Sequence, residues 1–278
     1  MAVRNLWEPS QRIENGYFRS LQEVTKYMEV AIKNETDPFK IARILKALLA
    51  TPAFQRYAQE TAMKMVTNLF ADGARNWRDA ARRSSRGRII YEALRREMQG
   101  PVGSEVRNQI QRNAAIITTL PVDIAERVTD YIADESMKGR RASDIAKDIL
   151  KMFPESSRAK AQLIARTETS KTSTALTRAR AESIGIEWYE WVASKDARVR
   201  KSHKMMDRVL VRWSDPPRPE ELAGEKNAPK AYHAGEIYNC RCYPAPLVSF
   251  DRVSWPHKVY SNGVIRIMTL RQFRQQAA

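Results

Sequence analysis

The stretch Gly185-Ile186-Glu187-Trp188-Tyr189-Glu190-Trp191-Val192 decides how this chain is read, because the sequence changes character there. Trp188, Tyr189, Trp191 and Val192 are aromatic or branched, the types that suit a pleated, half-buried surface, so the segment reads as a strand. Val209-Leu210-Val211-Arg212-Trp213 repeats the signal, and Val264-Ile265-Arg266-Ile267 gives a third β-like piece ahead of a short basic tail. Between Asp215 and Pro229, four prolines and few large apolar residues predict an extended loop.

Upstream of Gly185 the chain reads as helix after helix. Leu21, Val24, Tyr27, Met28 and Ile32 recur at three- and four-residue steps, the period of one helix face. Asp37-Pro38 opens a second helix, with proline tolerated in the first turn, and Thr51-Pro52 a third that runs towards Trp77. Gly73, Gly87, Gly100 and Gly103 break up the next stretch of chain. Ile124, Val128 and Ile132 mark an amphipathic helix from Pro121 to Lys138, with Gly139 as its C-cap. Ser143 caps a shorter helix that stops before Pro154, and a long helix then covers 157–183. The fold class is α+β: a mostly α-helical N-terminal region, residues 1–139, followed by a small α+β C-terminal module, residues 140–278.

A chain of 278 residues with 43% hydrophobic content can bury a sizeable core. Its net charge of +16 predicts attraction to a polyanion, most simply nucleic acid through phosphate neutralisation. An acidic protein or an anionic membrane surface would satisfy the same charge. No apolar run approaches the roughly 20 residues needed to span a bilayer, and Met1–Glu8 has no apolar secretory core. Cys240 and Cys242, one residue apart, would close a strained ring as a disulfide, so a reducing cytoplasm at synthesis is expected.

Four groups of residues carry the candidate chemistry. His203, His233, Cys240 and Cys242 are a sufficient set for one tetrahedral structural zinc, which would staple the proline-rich loop. The plain alternative is a buried reduced cysteine pair, and His257 beside Pro256 reads as a surface histidine. Arg75, Arg78 and Arg82 share one helix face, and Arg83, Arg86, Arg88, Arg95 and Arg96 extend the cluster. They form either a stripe for the phosphate backbone or a solvated face offset by Asp79, Glu92 and Glu97. Arg166 and Glu168 lie two apart on a helix and point in different directions, so each needs another partner. A catalytic Glu168 with an anion-binding Arg166 competes with a structural reading, in which one or both pair across to Asp196, Arg198 or Arg200. Trp188, Tyr189 and Trp191 are better placed as strand core than as a base-stacking platform. Phosphate-loop, dinucleotide and nucleophile-elbow motifs are absent.

Three pieces in order carry a family resemblance: Ile164-Ala165-Arg166-Thr167-Glu168-Thr169, then Trp191 to His203 followed by Met206-Asp207, then Tyr238-Asn239-Cys240-Arg241-Cys242. The succession resembles the phage Mu F-like head morphogenesis proteins, or minor head proteins, over roughly Leu120 to Leu247. The matching motif positions include Arg166, Glu168, Asp196, Arg200 and His203. Some relatives place a second metal-type cysteine pair where this chain has Arg200 and His203, and a histidine where it has Ile237, so their full ligand set does not carry over. The resemblance implies a non-enzymatic minor capsid protein of a tailed bacteriophage, packaged inside the procapsid near the portal. Its implied partners are the portal protein, the major capsid or scaffolding protein, and double-stranded DNA held by its backbone. It would occupy the virion interior, after assembly in the host cytoplasm, with no membrane partner. The rival reading is a nuclease or nucleotide-dependent transferase acting through Glu168 and the Asp196–His203 segment. A zinc-stapled DNA-binding regulator is a third, without a recognition-helix motif to support it.

Overall fold

The computed structural model describes residues 5–48, 50–84, 86–195, 197–226, 229–250 and 253–277. Its helices are α1 (Gln11–Ile32), α2 (Pro38–Leu48), α3 (Pro52–Arg82), α4 (Gly87–Arg96), α5 (Pro101–Met137) and α6 (Ala142–Ser183). The strand β1 (Trp188–Val192) comes next, then α7 (Lys201–Met205), β2 (Val209–Arg212) and the single turn α8 (Pro219–Leu222). Strands β3 (Tyr243–Pro246), β4 (His257–Ser261) and β5 (Val264–Met268) lead to α9 (Leu270–Ala277). The class is α+β, as the sequence predicts.

Two compact units divide the chain: residues 1–10, 68–107 and 169–278 form one, and residues 11–67 and 108–168 the other. They are not consecutive in sequence, whereas the sequence reading places a join near residue 139. The turn there lies inside the second unit, with Gly139 at φ 74° capping α5 as expected.

The second unit is helical. Tyr17, Leu21, Val24, Met28 and Ile32 of α1 are buried, as are Ile41, Ala42, Leu45 and Leu48 of α2. Tyr57 Oη of α3 donates to the Ser20 carbonyl at 3.0 Å. Lys160 and Asp123, 2.7 Å apart, bridge α6 and α5.

Both long helices differ from expectation, because α5 continues through Pro121 and α6 through Pro154. An interior proline costs roughly 3 kcal/mol and one backbone hydrogen bond. The apolar face keeps its phase across each proline: Ile117, Leu120, Ile124 and Val128 are buried around the first, and Ile149, Phe153, Ser157 and Ala161 around the second. Burying those side chains at about 1.5–3 kcal/mol for each large one outweighs the break. Gly73 and Gly103 likewise sit inside α3 and α5 and break nothing. A Cβ on Gly73 would meet the Arg180 guanidinium, and one on Gly103 the Met98 carbonyl.

The first unit holds one mixed sheet in the order β3-β1-β2-β4-β5. Strand β1 is antiparallel to β2 and β3, β2 is parallel to β4, and β4 and β5 form a hairpin. Asn262 and Gly263 turn that hairpin at φ 51° and 80°, the backbone of a two-residue I′ loop. Both faces of the sheet are covered. One face packs Tyr189, Trp191, Val209, Val211 and Tyr260 with Trp77, Ala81, Ile90 and Ala181 from the helices. The other packs Trp188, Leu210, Val259 and Met268 with Phe273, so the expected basic tail is in fact α9 closing a core. Trp188, Tyr189 and Trp191 are all at or below 6% exposed, which places them in the core and not on a stacking platform.

Candidate metal centre

Two elements deliver the ligands. Strand β1 ends at Val192, and the loop after it is pinned where Asp207 Oδ1 accepts from Ala193 N at 2.8 Å and Trp191 O accepts from Arg208 N at 2.8 Å. The loop carries the single turn α7, which buries His203 at 2% exposure. On the other side, Asn239 at φ 57° turns the chain into Cys240 and Cys242, both free and buried, just before β3. Arg200 joins the two pieces: it donates to the Tyr238 carbonyl at 3.2 Å and lies over the Tyr238 ring, 4.7 Å from its centre.

Among the described residues, one ligand atom each from His203, Cys240 and Cys242 lies within 4.8 Å of the others. His203 Nδ1 is 3.5 Å from Cys240 Sγ and 3.4 Å from Cys242 Sγ. Zinc bonds of 2.0–2.1 Å to nitrogen and 2.3 Å to sulfur, set at the tetrahedral angle, put N and S about 3.5 Å apart. The donor set and its spacing therefore fit a metal ion. The contact with Cys242 pulls the Cys240 thiol below its ordinary pKa, while the same contact and burial push Cys242 up.

His233 is not part of this group, a correction to the expected four ligands. Its Nδ1 is 3.1 Å from Tyr189 Oη and its ring packs on Trp213 at 5.3 Å. Burial lowers its pKa from 6.5 to about 4, so it stays neutral in the core. The far nitrogen of His203 meets residues the sequence did not single out. Nε2 is 2.8 Å from Tyr232 Oη, which donates to Glu220 at 2.7 and 2.6 Å. Burial, and then the hydrogen bond to Glu220, push the Tyr232 hydroxyl up and keep it protonated.

Glu168 lies in the second unit, 6% exposed, with Oε2 2.5 Å from Arg112 Nη2 of α5. Arg166 has its Nε 3.7 Å from Glu14 of α1. The sequence reading named neither partner, since helix pairing across more than fifty residues leaves no local pattern. Asp196 lies outside the described residues. His257 is on β4 with its side chain 13% exposed, 3.8 Å from Glu190, and is not a surface histidine.

In the first unit Arg75, Arg78, Arg82, Arg83, Arg86 and Arg88 are all exposed. Arg75 pairs with Asp72, Arg82 with Asp79 and Arg88 with Glu92, one turn away in each case. Such exposed pairs are worth under about 1 kcal/mol, so the arginines stay available to a stronger anion. Glu97 does not offset the cluster, because it is buried in a bidentate pair with Arg180 at 2.6 and 3.2 Å. Arg86 also lines an open cleft of about 360 Å³ with Trp188, Phe250 and Arg274.

Residues 126–244 match the family described as phage Mu protein F like protein. An uncharacterized protein of Haemophilus influenzae is 31% identical over 136 residues, covering 49% of this chain and 28% of that protein. The chain thus spans little more than a quarter of the length of the relative it matches. No solved structure matches it. Each of the three recognised motif pieces contributes residues to this matched stretch, including Glu168, His203, Cys240 and Cys242.

Proposed function

With residues 126–244 a Mu F-like stretch as premise, we propose that this protein is a non-enzymatic minor head protein of a tailed bacteriophage. In this reading it is packaged inside the procapsid near the portal, contacts the portal and the major capsid or scaffolding protein, and meets the genome with its basic face. It resides in the virion interior, having assembled in the host cytoplasm. The family match carries the proposal.

The placement of the motif residues supports it. Glu168, the carboxylate an enzyme would use, is closed off against Arg112, and the aromatic residues of β1 are sheet core. The exposed arginines from Arg75 to Arg88 suit phosphate contacts that carry no sequence preference. No described helix is long and apolar enough to cross a membrane. His203, Cys240 and Cys242 hold a structural zinc ion that ties α7 to the segment entering β3. Three protein ligands leave the fourth position of the tetrahedron to a water or another donor, and the bound metal would supply a crosslink between the two segments.

The test is assembly of procapsids from portal, scaffolding and major capsid proteins with this chain present. The expected result is its retention in small copy number in purified particles. Its absence from particles that otherwise form normally would sink the proposal. Metal analysis of chain purified without chelator should find one zinc, lost in His203→Ala.

A further inference from the structure

Glu220 is an acid in the wrong place for an ordinary surface carboxylate. It is 5% exposed, and among the described residues no lysine or arginine lies within ion-pair distance of it. Burying a carboxylate with no lysine or arginine beside it is costly, and its nearest ring nitrogen, His203 Nε2, lies 3.5 Å from Oε1. The proline-rich loop is shaped to present it: α8 carries Glu220, and Tyr232 N donates to the Pro217 carbonyl at 3.0 Å, holding Tyr232 beside the same loop. Ser202 Oγ of α7 lies 3.4 Å from Glu220 Oε1 and completes its surroundings.

The direction of the hydrogen bonds comes from proton counting. A phenol has one proton, and Tyr232 directs it to Glu220, whose two oxygens lie 2.7 and 2.6 Å away. Towards His203 Nε2, at 2.8 Å, Tyr232 can therefore only accept, so Nε2 carries a proton. A neutral imidazole has one proton, which leaves Nδ1 with a bare lone pair. Nδ1 is the atom 3.5 and 3.4 Å from the two sulfurs.

The geometry points to Glu220 and Tyr232 as positioning residues for the metal centre: together they fix His203 in the Nε2–H tautomer, with its Nδ1 lone pair aimed between Cys240 and Cys242. The role in metal binding rests on the zinc reading above, whereas the tautomer is a property of the chain itself. Outer partners of a ligating histidine act in this way, by setting which nitrogen is free and by making it more basic.

The experiment is nitrogen-15 NMR of the His203 imidazole in the full chain at pH 7.5, as purified and after chelation, together with zinc affinity by chelator competition. In the chelated protein the proton belongs on Nε2, and Tyr232→Phe should allow it to move to Nδ1. Zinc affinity should fall about 10- to 100-fold in Tyr232→Phe and in Glu220→Gln. Glu220→Gln keeps the volume of the side chain and serves if Tyr232→Phe folds poorly. A proton on Nδ1 in the chelated wild type, or affinities unchanged in both variants, would overturn the inference. If the wild type takes up no zinc, the zinc reading falls, and the tautomer alone then decides whether the relay stands.

Discussion

Removing the Glu168 carboxylate tests whether this motif residue is scaffold or chemistry. Its side chain is 7% exposed and pairs at 2.5 Å with Arg112, which is 38% exposed and is also held by Gln109 at 3.2 Å. Breaking a fully buried ion pair from one side costs about 3–5 kcal/mol, because a charge is left uncompensated. Here the surviving guanidinium can rehydrate through its exposed edge, which brings Glu168→Ala down to about 2–3 kcal/mol. Glu168→Gln keeps an acceptor and loses only the charge, so about 1–2 kcal/mol is expected. The double variant Arg112→Met with Glu168→Leu removes both charges and should recover at least half of the alanine loss. Tyr17 gives an independent sign, since burial first and the Glu168 charge second raise its pKa. That pKa should drop in Glu168→Gln.

Because the chain has two compact units, a single global melt would mix their transitions. Hydrogen exchange read on peptides from 11–67 and 108–168 isolates the unit that holds the pair. Protection there should fall by the stated energies while peptides from 186–268 stay unchanged. Glu168→Ala within about 0.5 kcal/mol of wild type, or a double variant no better than the single, would refute the reasoning. A lost nuclease or transferase activity at unchanged protection would do so more pointedly, by returning Glu168 to chemistry.

Other expectations can be checked separately. His233 has a folded pKa of about 4 against 6.5 for the free group, so the unfolded chain binds the proton first as pH falls. Stability is complete above pH 6.5 and drops by about 2 kcal/mol by pH 5, a slope in urea midpoints that His233→Gln should flatten. Gly235 has φ 89°, and a Cβ there would come within 2.6 Å of Thr174 Oγ1 and 2.9 Å of Ser170 Oγ. Gly235→Ala should cost at least about 2 kcal/mol by denaturant melting, and a neutral result would mean that the loop yields easily. Replacing Arg78, Arg82 and Arg86 with Gln should reduce the slope of log affinity for duplex DNA against log salt by about 0.9 for each lost phosphate contact. An unchanged slope would move the DNA contact to another face.

Much of this was written in local pattern. The run Trp188–Val192 and the run Val209–Arg212 are strands because branched and aromatic residues fill a sheet buried on both faces. Gly139 and Gly185 end helices at positive φ, where glycine meets no steric cost. What stayed hidden depended on distance in sequence. Pro121 and Pro154 looked like stops because a proline's local cost is visible, whereas the continuous apolar phase that offsets it spans several turns. The Asn262-Gly263 pair was the available signal for β4, which attention to branched residues alone passes over. Cys240, Cys242 and His203 were found by residue type. His233 was grouped with them for the same reason, and only packing against Tyr189 and Trp213 separates it. Tyr232 and Glu220 left no trace, since a hydrogen-bond chain across three elements has no spacing to read.

The borders of kinship and the borders of folding do not coincide in this molecule. The matched stretch stops at residue 244, partway along β3, and leaves β4, β5 and α9 outside. It also omits Trp77, Ala81 and Ile90, which wall in Trp191 and Tyr189 from the opposite side of the gene. An expression fragment trimmed to the homologous limits would lose Val259, Met268 and Phe273 from one face of the sheet and Trp77, Ala81 and Ile90 from the other, and is expected to aggregate. Biochemistry on the His203, Cys240 and Cys242 cluster accordingly calls for the intact polypeptide, and related genes are best compared over the full span that closes this core.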